Sequence, residues 1–284
     1  MTRPLRPLPT AAYLTYEEYN QAEQANAAAI AALIYLYLSP YVGVPLTNIQ
    51  WVELLKFLYP QIEYYRSQSA ALARRFYDSE RAKFLTDAGV VNLDTFRPSV
   101  LQARHPVFLA NYRLEFFVED MEPVRLKFIT RTTGNAGLAE TIAVAVKQVQ
   151  NGGRRTQIDA VRTDPLRPRF ARVEGGGSSC AFCLMLISRG PVYHSADSAG
   201  AAEIIDDFTG DETVLNGLMN RWHPNCDCRV VPVFDEKSWP GRAKFKEAER
   251  LWISSTRGHS GNDAINAFRR AVEGRSAPAV PQAA

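Results

Sequence analysis

Residues 180–193 read CAFCLMLISRGPVY, two cysteines in a C-x-x-C knuckle followed by an apolar run and an Arg-Gly-Pro turn. The other two cysteines of the chain sit together in RWHPNCDCRVVPVF, residues 221–234, at Cys226 and Cys228 beside His223. A C-x-x-C loop brings two thiolates within reach of one tetrahedral ion, and the second cluster adds three more donors. Five candidate ligands therefore compete for four positions: Cys180, Cys183, His223, Cys226 and Cys228. The expected set is Cys180, Cys183, His223 and one or both of Cys226 and Cys228, with Pro224-Asn225 supplying a turn ahead of the second pair. Such a site is a structural zinc centre by its donor chemistry.

Two other uses of the cysteines compete with metal. A thioredoxin-like redox pair needs a strand-to-helix junction within a βαβ unit, and no such pattern surrounds Cys180. Disulfides from Cys180 or Cys183 to the second pair would clasp the same two segments, but the chain shows no secretion signal, which favours reduced thiols. In the metal and disulfide readings alike, residues near 180 and 226 are held together and the intervening residues form a loop.

With 284 residues, 46% apolar and 22% charged, the chain can bury a substantial core. Its longest apolar run, AAAIAALIYLYL at residues 27–38, is too short to cross a bilayer, so no membrane association is expected. The opening MTRPLRPLPTAAY is basic and proline-rich and reads as a flexible arm. The net charge of +3 does not by itself argue for nucleic acid. Charge is unevenly distributed, however. Residues 190–220 hold no lysine or arginine but six acids, whereas arginines crowd the approach to the first knuckle. Arg154, Arg155, Arg162, Arg172 and Arg189 are candidate contacts to DNA phosphates or an acidic partner, against the plainer reading of solvated faces.

The first half reads as helix. Thr15 with Glu18, and Thr47 with Gln50, have capping-box spacing, and Ser39-Pro40 stops the first helix. A long amphipathic helix is expected after Pro60, further helices over PSVLQARHPVFLANYRLEFFVEDM (98–121) and AGLAETIAVAVKQVQ, and Gly152-Gly153 as the end of the last. Beyond it, ARV before a glycine-rich turn and RVVPVF after the last cysteine read as short strands, and two amphipathic helices follow. The expected fold is α+β: an arm at 1–11, a helical domain at 12–153, a Cys/His module at 154–240, C-terminal helices at 241–274 and a disordered tail at 275–284.

No enzyme signature appears. The H-x-E and H-E-x-x-H zinc patterns, the Gly-x-Ser-x-Gly elbow, the phosphate loop and the dinucleotide fingerprint are all missing. His105, His194 and His259 read as ordinary surface or core histidines. Acids Asp206, Asp207 and Asp211 offer at most a magnesium site, and a solvated insert is the simpler reading.

ARVEGGGSSCAFCLMLISRGPVY at 171–193, followed after an insert by RWHPNCDCRVVPVF, resembles the phage Mu F-like minor head proteins, particularly those of phages infecting actinobacteria. Arg172, Val173, Cys180, Cys183, Ser188, Arg189, Gly190, His223, Cys226 and Cys228 match that family's pattern. The match spans residues 154–235; the first half resembles the family only in being helical and of suitable length. The resemblance implies a non-enzymatic minor capsid protein, made in the bacterial cytoplasm and incorporated into the head interior near the portal. Its implied role is head morphogenesis or DNA packaging and ejection, and its implied partners are the portal protein, the major capsid or scaffold protein, and packaged DNA. The alternative from the residues is a zinc-module nucleic-acid-binding protein with no place in the virion.

Overall fold

Thr15 and Thr47 each close the capping box expected of them: the threonine hydroxyl accepts the N–H of Glu18 or Gln50, whose side chain accepts the N–H of the threonine. From these caps run α1 (Tyr16–Leu38), ended by a 3₁₀ turn at Ser39–Tyr41, and α2 (Asn48–Asp87). The computed structural model describes residues 13–90, 113–176, 179–191, 222 and 225–276. Helices α3 (Leu114–Ile129) and α4 (Gly134–Thr163) follow, then strand β1 (Arg169–Val173), the short helix α5 (Ala181–Ile187), strand β2 (Arg229–Val233), and helices α6 (Arg242–Thr256) and α7 (Gly261–Ser276). The fold is α+β and mainly helical, as the sequence predicts. The acidic insert and the arm and tail termini lie outside the described residues, as do His105 and His194.

Two helices are longer than expected. Pro60 was expected to divide two helices, yet it lies inside the 40-residue α2. A proline in a helix interior costs about 3 kcal/mol. The turns on either side bury Trp51, Leu54, Leu55, Leu58 and Ile62 in one core, and each such side chain contributes about 1.5–3 kcal/mol, so packing wins. That core joins them to Ile30, Ile34 and Leu38 of α1, Phe117, Met121 and Phe128 of α3, and Leu138 and Val149 of α4.

Gly152-Gly153 was expected to end α4, but the helix runs ten residues past the pair, to Thr163. The glycines mark a crossing instead. A Cβ on Gly152 would run into the backbone carbonyl of Arg66 on α2, and one on Gly153 would lie 2.7 Å from Ser69 Oγ. Ser69 Oγ in turn accepts the Gly153 N–H at 3.1 Å and donates to the buried Glu23 carboxylate of α1 at 2.9 Å. Three helices are thus stitched at one point. The boundary drawn at 153/154 falls within α4.

Strands β1 and β2 pair antiparallel, with Ala171 opposite Val231 and Arg172 opposite Val230. A two-stranded ribbon is marginal alone; here both faces are covered. Phe170 and Val230 face Tyr77 of α2, Ile158 and Val161 of α4, and the cysteines. Ala171, Val173, Val231 and Val233 face Tyr19 of α1, Phe76 of α2, and Phe245 and Ala248 of α6. The cysteine segments therefore share their core with the long helices.

Beside the ribbon, α2 and the end of α4 are joined by buried charge. Arg81 Nε lies 2.8 Å from Asp164 Oδ2, and Tyr77 Oη donates to the same oxygen at 2.7 Å. Burial tends to raise the Asp164 carboxyl, but the Leu166 N–H, Tyr77 and Arg81 outweigh it and hold it below its ordinary value.

Two outcomes follow for stability. Alanine at Gly152 gains about 1 kcal/mol of helix propensity, but its methyl would lie well inside contact distance of the Arg66 carbonyl oxygen, a clash with backbone that costs about 3 kcal/mol, the upper end for overpacking; chemical denaturation should show a net loss of about 2 kcal/mol. Because the folded-state Asp164 carboxyl sits below its unfolded value, its contribution is present above about pH 4 and fades as pH falls further. Asp164→Asn should destabilise at neutral pH and flatten that acid limb of the stability–pH curve.

Candidate metal centre

Asn225 adopts a left-handed backbone, φ 63°, a conformation asparagine tolerates better than most residues. The chain turns there into Cys226-Asp227-Cys228 and then into β2. The glycine-rich turn after β1 packs against this segment so closely that a Cβ on Gly175 would collide with the Asp227 carbonyl. Helix α1 secures the turn from outside, with Tyr16 Oη donating to the Glu174 carbonyl and Gln24 to the Gly175 carbonyl.

Three sulfurs meet in the space this creates. Cys183, Cys226 and Cys228 are buried and their Sγ atoms lie within 4.8 Å of one another. Cys226 Sγ is 3.4 Å from Cys183 Sγ and 3.1 Å from Cys228 Sγ, far beyond a disulfide bond, and all four cysteines of the chain are thiols. Sulfur–zinc bonds of about 2.3 Å imply tetrahedral edges of about 3.8 Å, so a small outward movement would seat an ion on the face formed by the three sulfurs. Hydrogen bonds from Cys183 and Cys228, together with the Arg154 guanidinium, hold Cys226 well below the ordinary thiol range; Cys183, giving one of those bonds, is pushed up. The thiolate is the form of cysteine that ligates metal. Three buried soft donors without a carboxylate suit a zinc-class ion and not a hard cation.

The expected ligands divide. Cys183, Cys226 and Cys228 are brought together. Cys180 stands outside that group: it is exposed and caps α5, its sulfur accepting the Cys183 N–H at 3.4 Å. His223 lies outside the described residues.

Burial separates three of the five candidate arginines from the other two. Arg154, Arg155 and Arg172 are 3%, 2% and 4% exposed and cannot present themselves to DNA from this fold. Arg154 donates to the carbonyls of Cys226 (2.7 Å) and Cys228 (3.1 Å) and to the side chains of Asn151 and Gln150. Its Cζ sits 4.2 Å above one side of the Trp222 ring system, and the Cζ of Arg172 lies 3.5 Å from that ring. Arg162 is exposed near Asp159, and the exposed Arg189 packs its Cζ 4.6 Å over Trp252. Sequence reading missed Trp222 altogether. The available signal was a tryptophan adjoining the His-x-x-Cys-x-Cys cluster, at a place where bulk must be buried.

The chain matches the VG15 protein family over residues 12–254 and belongs to that family. It is 33% identical over 246 residues to the Gene 15 protein of Mycobacterium phage D29, covering 80% of this chain and 82% of that protein. It is 34% identical over 256 residues to the Gene 15 protein of Mycobacterium phage L5, covering 80% of each. The chain is a phage protein. No solved structure matches it. Among the described residues, no helix is long and apolar enough to cross a membrane.

Serine substitutions should separate the cysteines in metal-free protein. At Cys226 or Cys228, a hydroxyl stranded among buried sulfurs is expected to cost about 1–3 kcal/mol. At Cys180 serine keeps a good helix cap, and the change should stay within about 0.5 kcal/mol. Urea denaturation in the presence of chelator and reductant measures both.

Proposed function

We propose that this phage protein is a non-enzymatic minor capsid component of the Mu F-like type, held in the head interior near the portal and acting in head morphogenesis or DNA packaging and ejection. The observation that carries this reading is the coincidence of motif and site. The segments that resemble the Mu F-like pattern become the β1–β2 pair, the short helix α5 that carries Cys183 and the turn at Asn225 that leads into Cys226 and Cys228, and they bring the three sulfurs to one buried point. Its partners in this reading are the portal protein and the major capsid or scaffold protein. Exposed Tyr35, Leu36, Ile49 and Phe57 on α1, α2 supply apolar surface for such contacts.

The cysteine centre in this reading holds a structural zinc-class ion. Cys183, Cys226 and Cys228 supply three ligands, and Cys180 or His223 the fourth. When bound, the ion contributes folding free energy, because the unfolded chain has no preformed site. The chain's part is to pack those sulfurs between α4 and the ribbon. The reading of a nucleic-acid-binding module outside the virion is less favoured, since Arg154, Arg155 and Arg172 are occupied inside the fold.

Mass spectrometry of purified, nuclease-treated phage particles should find this chain at a fixed copy number, and its absence from particles would overturn the virion assignment. Protein purified under reducing conditions should carry about one zinc per chain by elemental analysis, with the buried thiols reacting only after chelation. No metal and freely reactive thiols would remove the zinc assignment while leaving the capsid reading to the particle experiment.

A further inference from the structure

Among the described residues, three guanidiniums are buried around the sulfur triad, and one of them faces a carboxylate. Arg229 faces Glu23 at 3.8 Å. Arg154 and Arg172 have no ion pair with a carboxylate among the described residues. Arg154 spends its hydrogen bonds on neutral carbonyls and amides, and the Arg172 Nε is buried without a hydrogen-bond partner. Both press on Trp222, at 4.2 and 3.5 Å. An aromatic ring softens the burial of a cation but does not neutralise it. Burying two such charges is unfavourable unless negative charge lies beside them.

The sulfurs are where that charge can reside. Arg154 bonds the backbone carbonyls of two members of the triad, and Arg172 sits on the strand residue opposite Val230, two residues along from Cys228. A divalent ion with three thiolates carries a net charge of −1, and with four thiolates −2. A set of neutral thiols would leave both arginines without a counter-charge, and among the described residues no carboxylate joins the triad to make a hard-metal site.

We propose that Arg154 and Arg172, stacked on Trp222, are the counter-charges of an anionic metal–thiolate centre, which therefore selects a soft divalent cation held wholly or mainly by sulfur. This inference rests on the metal reading above and adds two positioning residues and a charge state to it. The arginines touch no metal: they act by orienting the Cys226 and Cys228 carbonyls and by offsetting the charge of the complex. Outer residues of this kind commonly change metal affinity by about 10–100-fold.

The full-length chain under reducing conditions would be titrated with Cd²⁺ and Co²⁺ against a competing chelator, in wild type and in Arg154→Gln, Arg172→Met and Arg172→Lys. The expected result is about 10–100-fold weaker binding for Arg154→Gln and Arg172→Met, with Arg172→Lys, which keeps the charge, close to wild type. Circular dichroism would establish that each variant is folded. Wild-type affinity in folded Arg154→Gln and Arg172→Met overturns the proposal and leaves the metal reading standing, whereas no binding by wild type removes the metal reading itself. Independently of any variant, the Co²⁺ spectrum of wild type should carry thiolate-to-metal absorption for at least three sulfurs. A spectrum with fewer sulfur ligands overturns the anionic assignment even if the variants fail to fold.

Discussion

Where α4 crosses α2, Gly152 and Gly153 let the two backbones approach until there is no room for a methyl group between them. Much of the rest of the molecule follows from this contact. It sets the separation of the long helices around the apolar core, and it places Ser69 where one hydroxyl serves both Glu23 and the α4 backbone. The next residue is Arg154. Because α4 continues as helix through the glycines, the Arg154 side chain leaves the crossing already directed at the Cys226–Cys228 segment.

The cysteine centre is consequently an extension of the helical core. Its sulfurs share an apolar cluster with Tyr77 of α2 and Ile158 of α4, while the reverse face of the ribbon packs on α1, α2 and α6. A ribbon of five-residue strands has little stability of its own, so the centre and the helices depend on each other. This arrangement accords with a structural role for the cysteines. The sulfurs are packed away from solvent, and the charged groups nearest them are committed to holding backbone or stacking on an aromatic ring.

Membership in the VG15 protein family extends across the whole of this shared architecture, from residue 12 to residue 254, and does not stop at the cysteine motifs. That span takes in the helical half, for which the motifs say nothing. The matched span and the packing thus both take in the helices together with the cysteine centre.

Local chemistry made much of this legible from sequence alone. Both capping boxes, the stop at Ser39-Pro40, the two strands, the terminal helices and the meeting of the two cysteine clusters follow from interactions within a few residues or from thiol chemistry. Other features were decided only in three dimensions. A glycine pair is locally a helix terminator, and only the backbone of Arg66, more than 80 residues earlier, turns it into a crossing point. Pro60 stays helical because the core on both sides of it outweighs its lost hydrogen bond. Arginine in a basic stretch looks like a surface residue, since sequence records charge but not what surrounds it. Arg154 and Arg172 are inside because Trp222 and the cysteine carbonyls, some 50–75 positions away, supply their partners. Residue type and spacing set local preference, whereas burial and partner choice depend on contacts between segments far apart in the chain, and those exist only once it has folded.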